Sequence, residues 1–153
     1  MGDLSRVKRW FDASGAPALG DIEKHYPSSP YMPKGRVEEY ARQWSAHSVQ
    51  RILDTAFAWS VMNSHLEVAD FLLAHGADIN TTWSSHEPAS ILHELVFHAN
   101  YKSMQFLIDR GIDMTIRDYR WNGTAQGWAF HAANDEKMAQ WLEEAERQRE
   151  QGR

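Results

Sequence analysis

Leu66, Ala69, Leu72 and Leu73 recur at helical spacing between polar positions, which predicts an amphipathic helix with one apolar stripe. The same arrangement returns further along the chain. Ala69, Met104 and Met138 fall in one column, followed by the pairs Leu72 and Leu73, Leu107 and Ile108, and Trp141 and Leu142. Phe71 and Phe106 match just before those pairs, and Gly76 and Gly111 just after them. Upstream of each column stands a hydroxyl residue, Thr55, Ser90 or Thr124, that opens a second apolar run. The segments therefore superpose at a shift of about 35 residues, within the range of helix-turn-helix repeats. A lone helix cannot hide such a stripe, so each unit must be covered by its neighbour in a stack. Gly76 and Gly111 sit where a helix has to stop, in a backbone conformation that glycine adopts freely. An ordinary bundle of amphipathic helices gives no reason for two matched glycines at one period.

The runs Thr55-Ala56-Phe57-Ala58-Trp59-Ser60, Ser90-Ile91-Leu92-His93-Glu94-Leu95 and Thr124-Ala125-Gln126-Gly127-Trp128-Ala129 are weak copies of a Thr-Pro-Leu-His-x-Ala opening. Residues 64–80, which end in Gly76-Ala77-Asp78-Ile79-Asn80, are a closer copy of the second helix and terminal turn that go with it. Together these motifs resemble the ankyrin repeat. The resemblance implies an all-α solenoid of stacked helix-turn-helix units with projecting loops, and a protein-protein interaction module, of adaptor or inhibitor type, that uses the loop fingers and the first-helix face. It also implies that His93 is structural, tying its helix to the preceding finger. The proline of the opening is missing throughout, with Ala56, Ile91 and Ala125 in its place. Gly2 to Phe11 looks like the second helix of a repeat that lacks its first. One domain over 1–153 is expected: a half-repeat at 2–20, an insertion at about 21–48, repeats at about 49–80, 89–115 and 123–145, and a charged helix end at 146–153.

The insertion has its own character. Three prolines between His25 and Gly35 predict an irregular loop, and Val37, Tyr40, Ala41 and Trp44 then recur at helical spacing. One explanation is a cap over Leu4, Val7 and Phe11, since terminal repeats need a covering element. The other is a small-molecule or peptide pocket, with a possible catalytic role, lined by Tyr26, Tyr31, Tyr40 and Trp44 with His25 or His47 as the polar group.

Charge and chemistry narrow the function. With no cysteine, disulfides and cysteine-based metal sites are excluded within the chain. The net charge of −5 opposes non-specific binding to nucleic acid. The apolar stretches are too short to span a membrane and no signal core is seen at the start, so a cytoplasmic protein is expected. His93-Glu94-Leu95-Val96-Phe97-His98 has its histidines on different helical faces, unlike a zinc-binding His-Glu-x-x-His pair. No other metal, cofactor or catalytic constellation is legible, and a non-enzymatic chain is expected.

The aromatic load stands out, with seven tryptophans. Trp10, Trp59, Trp128 and Trp141 occupy helix columns and are expected to pack inside. Trp83, Tyr119 and Trp121 lie in the connections after Gly76 and Gly111, where aromatic side chains supply binding hot spots or pack as spacers between fingers. With Arg117 and Arg120 on the rim, they form the candidate surface for another protein, whose identity the sequence does not give. Self-association through the incomplete first repeat is the further option.

Overall fold

The computed structural model describes residues 2–18, 49–83 and 89–152. Its elements in chain order are α1 (Leu4–Lys8), α2 (Val49–Met62), α3 (Leu66–Ala74), β1 (Thr82–Trp83), β2 (Ala89–Ser90), α4 (Ile91–Phe97), α5 (Tyr101–Asp109), α6 (Ala125–His131) and α7 (Glu136–Gln151). Helices dominate; β1 and β2 form a short antiparallel hairpin, with Thr82 opposite Ser90 and Trp83 opposite Ala89.

The helices come in pairs because the apolar columns do. Ala69, Met104 and Met138 are all fully buried, and so are Leu107 and Leu142. Within the pairs α2 packs on α3, α4 on α5 and α6 on α7, while α4 also bridges to α2 and α6. The core is thus continuous from pair to pair, which a stacked solenoid requires. Val61 and Val96 share one column and are buried beneath the next pair, whereas Phe130 in that column is largely exposed. On the other side, α1 packs against α3, and Phe11 sets its ring edge-on to Phe71 at 5.0 Å. Leu4 and Val7 join the same apolar contact.

Helix ends follow local chemistry. Gly76 and Gly111 have φ of 94° and 89°, and the N–H groups of Ala77 and Ile112 reach back to the carbonyls of Leu72 and Leu107. This six-residue closure satisfies the last free carbonyls and directs the chain into the finger. Between the helices of a pair, Ser64, Ala99 and Asn134 take φ of 58°, 46° and 52°, a region that costs an alanine more than an asparagine. At the starts, Asn100, Thr124 and Asp135 accept N–H groups of the first turn with their side chains.

Successive units are also laced by polar side chains. Asn80 accepts the N–H of Asp113 at 2.8 Å, while within one unit the buried carboxylate of Asp54 accepts that of Asp78 at 2.8 Å. Ser103 donates its hydroxyl to the carbonyl of Val61, and Asn100 donates to Ser64. Arg110 pairs with Asp70 across neighbouring helices.

Two of the four helix-column tryptophans are not core residues. Trp59 is 56 % exposed, because α2 buries Leu53, Asp54, Phe57, Ala58 and Val61 and this arc leaves Trp59 on the opposite side. Trp10 is 40 % exposed, the chain turning beyond α1 so that Phe11 faces inward instead. Trp128 is buried, and Trp141 is half-buried against Tyr101.

Candidate functional site

The connection between Ile112 and Thr124 forms a finger built around Asp118. Its side chain is almost fully buried, and Oδ1 accepts the N–H groups of Arg120 at 2.9 Å and Trp121 at 2.7 Å. Oδ2 accepts the N–H of Gly123 at 2.8 Å and the indole N–H of Trp128 at 2.9 Å. Burial alone would raise the pKa of this carboxyl, but the donors from Trp121, Trp128, Gly123 and Arg120 outweigh it and hold it below the usual carboxylate value. The loop closes on itself, since the N–H of Asp118 donates to the carbonyl of Gly123 at 2.9 Å. A Cβ at Gly123 would stand 3.1 Å from Asp118 Oδ2 and 3.3 Å from the Trp128 ring, so the close wrap depends on glycine.

His93 joins this finger to the preceding one. Its ring is buried, with Nδ1 accepting the N–H of Ser90 at 3.2 Å and lying 2.7 Å from the Ser90 hydroxyl. Since Nδ1 accepts a backbone donor, the ring proton sits on Nε2, which donates to the carbonyl of Gly123 at 3.1 Å. Burial is the main influence on the imidazole and pushes its pKa down, against the raising effects of the Gly123 bond, the Asp118 charge and Ser90. The sequence expectation named only the preceding finger; the side chain reaches both, because Ser90 ends β2 and Gly123 lies one repeat further on. The second histidine of the zinc-like motif, His98, lies just beyond the end of α4 and is exposed.

This framework holds aromatic rings outward. Tyr119 is 83 % exposed, Trp121 62 % and Phe97, at the end of α4, 53 %. Trp121 meets Trp128 edge-on at 5.8 Å and Phe97 meets it at 5.2 Å, so the buried indole floors a cluster whose two flanking rings face solvent. Trp121 thus covers its neighbour with one edge and presents the rest. Arg117 and Arg120 are exposed beside these rings; Arg117 donates to the carbonyl of Asn122 at 2.7 Å, and the Arg120 guanidinium lies 5.1 Å from the Trp121 ring centre. The candidate residues Arg117, Tyr119, Arg120 and Trp121 are therefore brought together on one finger. Trp83 lies in β1 of the preceding finger, where its backbone pairs with that of Ala89. His25, Tyr26, Tyr31, Tyr40, Trp44 and His47 lie outside the described residues.

Sequence reasoning missed Phe97 and Asp118. Phe97 continues the apolar run Leu95-Val96-Phe97, so residue type alone does not separate it from its buried neighbours. Asp118 precedes the turn-forming Asn122-Gly123 pair, which marks a loop without showing which groups the carboxylate gathers.

Elsewhere, a shallow groove of about 450 Å³ runs between α5 and α7 beside Ile108, Trp141 and Ala145. Arg149 on its edge is committed to the carbonyls of Gly111 and Ile112, closing the end of α5. Among the described residues there is no group of His, Asp and Glu side chains placed to hold a metal ion, and no helix long and apolar enough to cross a membrane.

No curated protein matches the chain. Residues 53–83, which span α2, α3 and β1, match the family model of the ankyrin repeat. Ankyrin repeats generally mediate protein-protein interaction and are typically non-enzymatic. One ankyrin repeat is thus matched, at 53–83, and the same paired helices and connecting fingers return through α4–α5 and α6–α7, an all-α ankyrin-type fold.

Proposed function

We propose that the chain is an adaptor or inhibitor-type protein that holds another protein on the finger at Arg117 to Gly123 and on the adjoining first-helix face. The observation that carries this reading is the exposure of Tyr119 and Trp121 on a loop whose backbone is locked by Asp118. Large amphipathic rings bury much area at low rotamer cost, and a loop already in its bound shape avoids the cost of ordering. Arg117, Arg120 and Phe97 belong to the same surface, and Trp83 of the preceding finger is kept as a further candidate. The acidic net charge argues for a protein rather than a nucleic acid as partner, and a cytoplasmic location is part of the proposal.

Alanine at Tyr119 and Trp121 together is expected to weaken partner capture by roughly 30-fold or more, the scale of truncating hot-spot aromatics. The melting temperature should fall only slightly, through the uncovered edge of Trp128. Unchanged capture, or a collapse of the fold in place of lost capture, would count against the reading.

A further inference from the structure

His93 is buried, ionisable and joined to two fingers at once. We propose that it is a pH-operated clamp on the β1–β2 finger: neutral, it accepts the backbone N–H of Ser90 at the end of the hairpin, and protonated, it gives up that N–H while keeping its contact with the Ser90 hydroxyl and its hold on Gly123.

The asymmetry follows from donor and acceptor counting. Neutral His93 carries its proton on Nε2 and offers the Nδ1 lone pair to the N–H of Ser90. Protonation adds a hydrogen at Nδ1, so two donors then face each other at 3.2 Å. The Ser90 hydroxyl, 2.7 Å away, can turn to accept the new N–H, but the backbone N–H of Ser90 loses its acceptor. That residue is both the end of β2, opposite Thr82, and the start of α4. At the other ring nitrogen nothing is reversed, since Nε2–H donates to the Gly123 carbonyl in either state. The switched bond is therefore that of the Ser90 N–H at the end of the hairpin, and the Asp118 finger stays tied.

The surroundings favour the neutral ring. Among the described residues the charge that acts on His93 is the carboxylate of Asp118, from the finger ahead of α6. It favours the imidazolium, but its oxygens are occupied by the donors of the finger and by the Trp128 indole. From α6 the ring receives the face and edge of Trp128 at 5.1 Å, and from β2 Ser90; α2, α5 and β1 bring no charge to it. Burial prevails, and the imidazole protonates at lower pH than a free histidine. The clamp concerns regulation of the proposed binding fingers and rests on that reading only for its biological consequence.

The test is a pH titration of the isotope-labelled full chain by NMR. The ring nitrogens of His93 should report the Nε2–H form at neutral pH and titrate with a midpoint below about 6.5. Over the same interval the amide of Ser90 should lose about fivefold in exchange protection, the equivalent of one hydrogen bond, while the Trp128 indole N–H keeps its own. His93→Gln, whose amide can accept from Ser90 and donate to Gly123 without titrating, should abolish the Ser90 response. A Ser90 amide that stays protected while His93 titrates, a midpoint at or above that of free histidine, or equal loosening at Trp128 would overturn the clamp. The wild-type ring titration stands even if the glutamine variant does not fold. None of these results depends on a partner, so the clamp can fail while the binding surface stands, and the reverse.

Discussion

Replacing Asp118 by alanine tests whether one carboxylate holds the finger. Four N–H donors converge on it, three from the backbone and one from the Trp128 indole. The N–H groups of Arg120 and Trp121 belong to exposed residues and can turn to water when the acceptor goes, so they cost little. The indole N–H belongs to the buried Trp128, edge-on to Trp121, and the half-buried Gly123 packs beside that ring. A buried donor left unpaired costs about 1–3 kcal/mol, so the two together give a loss of about 3 kcal/mol. With a urea dependence of about 1–3 kcal/mol per molar, the unfolding midpoint should drop by about 1–3 M. Asp118→Asn, close in shape, should lose nearly as much, because its amide NH2 presents donors to donors. The acid limb adds a second readout. The folded-state pKa of Asp118 lies below its unfolded value of about 3.9, so its stabilisation is complete above that range and disappears as pH falls through the folded pKa. The asparagine variant should lack this part of the acid dependence. Urea unfolding followed by tryptophan fluorescence measures both effects, and a loss under about 1 kcal/mol in the alanine variant at pH 7 would refute the reasoning.

Other positions separate strain, packing and protonation. Ala99 is exposed at φ 46°, so Ala99→Gly should stabilise the fold by about 0.5–1 kcal/mol, the strain relieved less the extra freedom gained by the unfolded chain; a lower urea midpoint would contradict this. Leu107→Ala empties a fully buried column position and should cost about 2–5 kcal/mol, whereas Trp59→Ala should cost under about 1 kcal/mol in the same melts. The lowered folded pKa of His93 means that its contribution is intact above about pH 6.5 and is lost as pH falls toward the folded value, with a slope of at most about 1.4 kcal/mol per pH unit that His93→Gln should remove.

Much of the helix plan was readable because burial imposes a period. Met104, Leu107 and Ile108 lie one shift from Ala69, Leu72 and Leu73, and Gly76 and Gly111 close the helices at positive φ where the columns end. Within a column, however, identity does not determine environment. Trp59 and Trp128 align, yet one lies on the outer side of α2 and the other is roofed by Trp121 and Phe97. Only the neighbouring finger and helix end distinguish them, and those contacts are remote in sequence. Candidate finger residues were readable from Tyr119 and Trp121 in a connection, while the means of holding them was not. Asp118 and His93 act through loop carbonyls and N–H groups, whose meeting at Gly123 carries no side-chain signature.

The most direct test of the binding surface is site-specific photocrosslinking in cells. A photoreactive phenylalanine at position 119 replaces a side chain that is almost wholly exposed, and one at Gln140, exposed on α7, serves as the control. The account predicts a discrete crosslinked protein from position 119 that is absent from position 140 and disappears with Trp121→Ala. Crosslinking from position 140 alone would place the partner on the opposite helices and contradict the account.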